Sequence, residues 1–471
     1  MTSSPNSWLS DIRLGARSLA EFGQGLFQPT VRLGITGLSR AGKTVFITAL
    51  VHGLIRGGRF PVFEAMAGGR IARVRLAPQP DDAVPRFQYE NHIRDLLEKR
   101  IWPDSTRQIS ELRLLVDYQS RSGAQRTLTL DIVDYPGEWL LDLPLLTMTY
   151  EAWAADSLAR SQGKPRDALA RDWHAHLAKL SPMAPAREAE AIEAARLFTS
   201  YLRACRDETV AMSMLPPGRF LMPGDLDGSP ALTFAPLRVP KTGEAPDGSL
   251  WAMMQHRYEA YKTLIVRPFF EDHFLRLDRQ VVLVDALAAI NAGPDALRDL
   301  QSAIGNILDC FQTGRRTLWS AMLRPRADRI LFAATKADHV HQRQHETMET
   351  ILRRMTERAA ERAKFSGALV DAVALASVRA TREANVRSDG GSMPAIVGVP
   401  MGGDDDAEIA AFAGDVPDNI EALFETGATA VTPIKFMRFR PPLLESVDGV
   451  PALPHIRLDR ALQFLIGDKL Q

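Results

Sequence analysis

The sequence predicts an α/β fold: a doubly wound, mostly parallel sheet carrying a large helical insertion. Three observations predict it. Apolar runs of strand length alternate with stretches of helical period at 31–57 and again at 279–377. A glycine-broken loop, "GLSRAGKT" at 37–44, separates the first strand from the first helix. Between 139 and 279 strand signals nearly vanish and alanine-, arginine- and glutamate-rich helical periodicity takes over.

The elements follow in chain order. "VRLGITG" at 31–37 reads as a buried strand, and 43–57 as the helix after it. A polar, proline- and glycine-containing stretch then runs to about 110. "ELRLLVDY" and "RTLTLDIVDYPG" read as strands joined by a hairpin turn around Ser122-Gly123 in "QSRSGAQ". The helical segment includes "EAEAIEAARLFTSYLRACRDE" and is interrupted by "LPPGRFLMPGDLDGSPALTFAPL" at 215–237. Strands return at "RQVVLVDAL" (279–287), "RILFAATKAD" (329–338) and "VDAVALAS" (370–377), with helices near 294–312 and 341–364 between them. Beyond 380 the chain reads as loop-rich, ending in a short helix from Asp459. The expected division is an N-terminal amphipathic helix over 1–28, a sheet domain in two parts (29–138 and 280–380), a helical insertion over 139–279, and a C-terminal extension over 381–471.

Composition narrows the function. The 471 residues are 45% hydrophobic and 24% charged, enough to fill a substantial core. A net charge of zero argues against a chain built to neutralise nucleic-acid phosphates, so no nucleic-acid partner is expected. Two cysteines, Cys205 and Cys310, cannot by themselves form a zinc site, and a reducing, cytoplasmic setting fits them. No segment approaches the ~20 apolar residues of a membrane span, and "MTSSPNSWLS" lacks the pattern of a secretory signal. In the first segment Trp8, Leu9, Ile12, Leu19, Phe22 and Leu26 recur at helical spacing with Arg13 and Arg17 between them. That stripe is expected to dock on its own domain, with a partner or a bilayer surface as the alternative.

"GLSRAGKT" matches G-x-x-x-x-G-K-[ST], the phosphate-loop pattern, in the strand–loop–helix context that it requires. Gly37 and Gly42 let the backbone curl so that N–H groups from Ser39 through Arg40, Ala41, Gly42, Lys43, Thr44 and Val45 wrap an anion at a positive helix end. Lys43 is placed to reach the β and γ phosphates, and the Thr44 hydroxyl to ligate Mg2+.

"DYPG" at 134–137 matches D-x-x-G at a strand end, so Asp134 is expected to hold a magnesium-bound water and the Gly137 N–H to sense the γ-phosphate. "TKAD" at 335–338 ends another buried strand. A carboxylate there, Asp338, accepts from both adjacent donors of guanine, a pair that adenine lacks. Lys336 is expected along the base plane, beside Thr335, and His339 near the base pocket. In "ASV" (376–378) a backbone N–H of Ser377 or Val378 is expected at the guanine oxygen. The first switch falls in "IWPDSTRQ" (101–108), with Thr106 as its magnesium ligand, Ser105 as the substitute, and Trp102 and Arg107 covering the nucleotide.

For hydrolysis, Glu138 follows D-x-x-G where a water-orienting side chain is expected, and Arg40 is a candidate internal arginine finger. Its position in the loop resembles that of the guanylate-binding large GTPases. The order phosphate loop, D-x-x-G, T-K-x-D, A-S resembles that of the translation-factor-related GTPases.

With "GLSRAGKT", "DYPGEWL", "LPPGRFLMPGDLDGSPALTFAPL" and "ATKADHV", the chain resembles the YcjX family of bacterial stress-associated P-loop NTPases over nearly its whole length. The motifs are read as a Mg2+-dependent GTPase that uses GTP and GDP, and the resemblance implies a cytoplasmic GTPase with a helical insertion and a link to envelope or heat stress. It also implies an inner-membrane protein as a candidate partner, and so a place at the periphery of the inner membrane; a dimer stays open. Arg219, Asp225 and Asp227 in the 215–237 segment are expected to brace the insertion against the nucleotide domain. An ATPase, a nucleotide-binding scaffold with little hydrolysis and a membrane-remodelling relative of the dynamins are the rival readings.

Overall fold

The computed structural model describes residues 29–37, 40–104, 106–207, 209–239, 245–309, 327–365, 367–388, 391–402, 406–417, 437–444, 446–447 and 450–471. Ser39, Ser105 and the helix expected over 1–28 lie outside the described residues.

Seven strands form the central sheet: β1 (Thr30–Gly37), β2 (Ile71–Ala77), β3 (Ser110–Gln119), β4 (Gln125–Asp134), β5 (Arg279–Val284), β6 (Arg329–Ala334) and β7 (Leu369–Ala374). Their order is β2-β3-β4-β1-β5-β6-β7. From β4 to β7 every pair is parallel, while β2 and β3 run antiparallel at one edge. This is the doubly wound α/β sheet of a P-loop protein. β3 and β4 form the hairpin read from the sequence, with Gln119 opposite Gln125 and Gly123 turning the chain at φ 88°.

β2 was not foreseen in the sequence. "IARVRLA" pairs on one side only, and two of its seven residues are arginines, so its apolar period is faint. Nor were β8 (Arg382–Ser388), β9 (Gly391–Gly398) and β10 (Ile409–Ala411), a small antiparallel sheet in the stretch read as loop. Its glycines, serines and Pro394 resemble turn signals, which a short exposed sheet tolerates.

The parallel strands are mostly buried because both faces are covered. Alternate residues feed two cores. Val281, Leu283, Leu331 and Ala333 pack with α1 (Lys43–Arg56) and the C-terminal helix Leu458–Ile466. Val282, Val284, Ile330 and Phe332 face the other way. Helix α1 begins at Gly42 and ends where the Gly57 N–H bonds to the Gly53 carbonyl at φ 77°, a left-handed stop that suits glycine.

Among the described residues 135–278 contribute no strand. The helices of this stretch include α2 (Glu188–Arg206) and α3 (Leu250–Tyr261), around an aromatic cluster. Trp153 stacks on Tyr258 at 5.1 Å, and Trp173 on Tyr201 at 5.2 Å. This core is continuous with Val282, Val284 and Phe332, so the helical segment rests directly on one face of the sheet. The helical segment is thereby held close to the strand ends.

Candidate functional site

Four strands, β1, β4, β6 and β7, end at one edge, and a motif residue follows or closes each of them. Ligands in open parallel sheets sit beyond such ends, where the strand order reverses. A cleft of about 530 Å3 occupies that place. It is lined by Arg40, Ala41, Gly42, Lys43, Thr44, Val45, Trp102, Thr106, Thr335, Lys336, Asp338, His339, Ser377 and Val378 among the residues read from the sequence.

At one end the phosphate loop turns through two left-handed residues, Arg40 at φ 63° and Gly42 at φ 79°. For glycine that conformation has no steric penalty; for arginine it is strained. Gly37 lies beneath the loop, its carbonyl accepting from Lys43 Nζ at 3.1 Å. A Cβ at Gly37 would sit 2.9 Å from the Leu283 side chain, which is why the strand can end only in glycine here. The Thr44 hydroxyl donates to the Asp104 carbonyl at 3.1 Å and lies 3.4 Å from the Thr106 hydroxyl. Thr106 in turn donates to Asp134 Oδ2 at 2.7 Å.

Asp134 is buried, and its other oxygen, Oδ1, has no hydrogen-bond partner among the described residues. Burial pushes its carboxyl up to about 6, against the opposing pull of Lys43 and the Thr106 hydrogen bond. A buried carboxylate with one unsatisfied oxygen, joined through its other oxygen to the Thr106 hydroxyl and beyond it to that of Thr44, is a donor set suited to a hard dication and its waters.

At the other end Lys336 takes the left-handed conformation at φ 62° and pairs through its ammonium with Asp285, at the end of β5. Asp338 accepts the Ala380 N–H on Oδ2 at 2.9 Å, and its carbonyl accepts the Thr381 hydroxyl. The loop carrying Ser377 and Val378 is pinned by the C-terminal segment: Ala376 and Ile456 exchange backbone hydrogen bonds at 3.1 and 2.8 Å. Met401, Arg438 and Phe439 complete this wall, with the Phe439 ring 5.9 Å from His339. Trp102 donates its indole N–H to the Phe439 carbonyl at 2.7 Å. No motif marks these C-terminal residues; they reach the site through pairing of 399–401 with 438–440.

Gly37, Asp134, Gly137, Glu138 and Arg107 do not line the cleft. Gly137 opens a 3-10 helix, Gly137–Thr147, directly after β4. Glu138 is buried and its carboxylate lies 3.5 Å from Arg206, the last residue of α2. Arg107 is exposed, and its carbonyl packs beside Gly224. Two further residues from the turn after α2, Asp207 and Thr209, line the cleft near Arg40. The Thr209 N–H and hydroxyl bond Asp207 at 3.0 and 2.9 Å, and these bonds, with Arg40 nearby, hold its carboxyl below the usual range.

The 215–237 segment grips the 3-10 helix. Gly218 and Arg219 donate backbone N–H groups to Asp142 at 2.6 and 3.3 Å, and the Tyr261 hydroxyl adds a third at 2.6 Å. The Arg219 guanidinium lies over the Trp139 ring at 3.1 Å, and Trp139 donates its indole N–H to the Met222 carbonyl. Arg219 also bonds Asp225 at 3.2 Å. A Cβ at Gly218 would fall 1.7 Å from the Glu138 carbonyl oxygen, so only glycine allows this approach.

Among the described residues no helix is long and apolar enough to cross a membrane. The chain matches the model of the YcjX-like family, DUF463, over residues 31–470. It is 38% identical over 459 residues to "Ras-like GTPase YcjX" of Escherichia coli (strain K12), covering 94% of this chain and 96% of that protein. It is 34% identical over 468 residues to "Ras-like GTPase YcjX" of Shewanella oneidensis, covering 94% of this chain and 95% of that one. The chain belongs to the YcjX-like family.

Proposed function

We propose that this chain binds guanine nucleotides with Mg2+ and hydrolyses GTP. One observation carries the reading: a single cleft is lined by Lys43, Thr44 and Thr106 and also by Asp338, with Asp134 buried behind Thr106 and hydrogen-bonded to it. The names of the relatives support the same activity.

The roles follow from the chemistry. Backbone N–H groups of 40–45 and the start of α1 bind phosphate oxygens. Lys43 exchanges its bond to the Gly37 carbonyl for the β and γ phosphates. Thr44, Thr106 and Asp134 fit a magnesium ion and its waters, and that ion would neutralise charge on the phosphates. Asp338 accepts the paired donors of guanine while the Lys336 stem covers the ring. Arg40, on the strained loop, is the candidate that moves onto the γ-phosphate. Glu138, just after Gly137, is the candidate that orients the attacking water, although it does not line the cleft.

Calorimetry with GDP, GTP and ATP, followed by phosphate release, tests the reading. Micromolar GTP binding, weak ATP binding and slow phosphate release are expected. Equal affinity for ATP would favour an ATPase, and binding without release a scaffold. Asp338→Asn is expected to exchange guanosine for xanthosine nucleotides. A role in bacterial stress, an inner-membrane partner and a peripheral location rest on the family likeness. Liposome co-sedimentation with and without residues 1–28 tests the last of these.

A further inference from the structure

We propose that Arg206 is a positioning residue that makes Glu138 usable for hydrolysis by cancelling its charge. The inference rests on the GTPase reading of this site. A glutamate beside the γ-phosphate poses an electrostatic problem. Its carboxylate can accept a hydrogen bond from the attacking water, but phosphate charge repels a bare anion placed there. In a water-poor site that repulsion is strong, and a neutral amide would avoid it.

The fold supplies the missing charge from a distant part of the chain. Arg206 ends α2, a helix of the inserted segment, and its guanidinium lies 3.5 Å from the Glu138 carboxylate. The Glu138 side chain is 7% exposed and that of Arg206 26%, so water screens the pair only partly. The turn immediately after Arg206 contributes Asp207 and Thr209 to the wall of the cleft near Arg40, which fixes the approach of this helix end to the cleft. The backbone of Glu138 is held against Gly218, and its side chain is buried beside Arg206.

The paired carboxylate is electrically close to an amide: net neutral, yet still an acceptor. The water oxygen bonds to the γ-phosphorus as the bridging P–O bond breaks. The water proton passes to a γ-phosphate oxygen, giving GDP and inorganic phosphate. Glu138 takes no proton in this step; it accepts the hydrogen bond that aligns the water. Arg206 touches neither nucleotide nor water.

The test is a double-mutant cycle on the full chain, read as kcat and KM for GTP with fluorescent GDP affinity and the urea midpoint measured alongside. Arg206→Ala is expected to lower kcat about 30- to 100-fold with KM and GDP affinity within about twofold. Arg206→Lys, which keeps the charge, is expected to recover most of that loss. In the Glu138→Gln background the Arg206→Ala change is expected to lower kcat by less than about threefold, because no charge remains to cancel. Arg206→Gln serves as the neutral variant should alanine lower the midpoint. An equal loss in both backgrounds would make Arg206 a direct phosphate ligand and overturn the proposal. So would an unchanged kcat in Arg206→Ala, or loss of hydrolysis in Glu138→Gln. Failure of the wild-type chain to bind GTP would instead refute the GTPase reading itself.

Discussion

The two ends of the cleft are built differently. The end that carries the phosphate-loop pattern is built around one loop of eight residues, 37–44, to which Asp104, Thr106 and, through Thr106, Asp134 are joined by hydrogen bonds of 2.7 to 3.4 Å. The base end is assembled across the chain. Asp338 is fixed by Ala380 and Thr381, and its surroundings by Ile456, Phe439 and Met401. Trp102 and Thr106 link the two. Trp102 bonds the Phe439 carbonyl at the base end, and Thr106 bonds Asp134 at the phosphate end. A loop anchored at both ends can report nucleotide state only by breaking one of these bonds, which is the comparison that mutation can test.

The largest effects should separate the ends. Lys43→Ala is expected to weaken GTP binding by about 2–5 kcal/mol while leaving the guanine-over-adenine preference intact. Asp338→Asn should do the reverse, abolishing the preference while the triphosphate still outbinds the monophosphate. Competition calorimetry with GTP, ATP and GMP reads both. If either variant changed both properties, the two ends would not be separable.

Next comes the segment that grips the phosphate side. Gly218→Ala puts a methyl into the Glu138 backbone, where nothing flexible can give way. About 3 kcal/mol of stability should be lost, measured by urea unfolding. A loss below about 1 kcal/mol would mean that the segment lies only loosely on the 3-10 helix.

A pH effect of about 2 kcal/mol is expected from Asp142, whose carboxyl burial pushes up to about 6 from 3.8. The sign follows from proton binding. Between about pH 4 and 6 the folded state holds this proton more tightly than the unfolded chain does, so stability from this group falls as pH rises and levels off above 6. Asp142→Asn should flatten that slope in urea midpoints measured from pH 4 to 7. The smallest effect belongs to the shared loop: Trp102→Phe removes the indole N–H and should weaken GTP binding by about 1 kcal/mol. An equal loss for GDP would place the benefit at the base end alone.

Much of the site was legible because its chemistry is local. Amide groups that wrap phosphate need glycines at fixed spacing, and a carboxylate at the end of a buried strand has few purely structural uses. "GLSRAGKT", "DYPG" and "TKAD" therefore stood out, and each lies at a strand end. The hairpin around Gly123 and the strands ending at Val284, Ala334 and Ala374 were equally plain, since a strand covered on both faces is an apolar run. β2 and the 382–411 sheet were not, because half-exposed edge strands carry charges, glycines and a proline. Phe439 and Met401 gave no signal at all.

By itself the sequence determined the parallel sheet and the strand ends at which the phosphate-loop pattern and Asp338 stand, because each depends on residue type at short separation. Only the tertiary structure decided that Arg206 meets Glu138, that Gly218 presses on the same residue, and that a C-terminal ladder walls the base end. Such contacts join residues tens to hundreds of positions apart. Their register is set by how the helical segment and the C-terminal strands seat on the sheet, a matter of shape that no local pattern encodes.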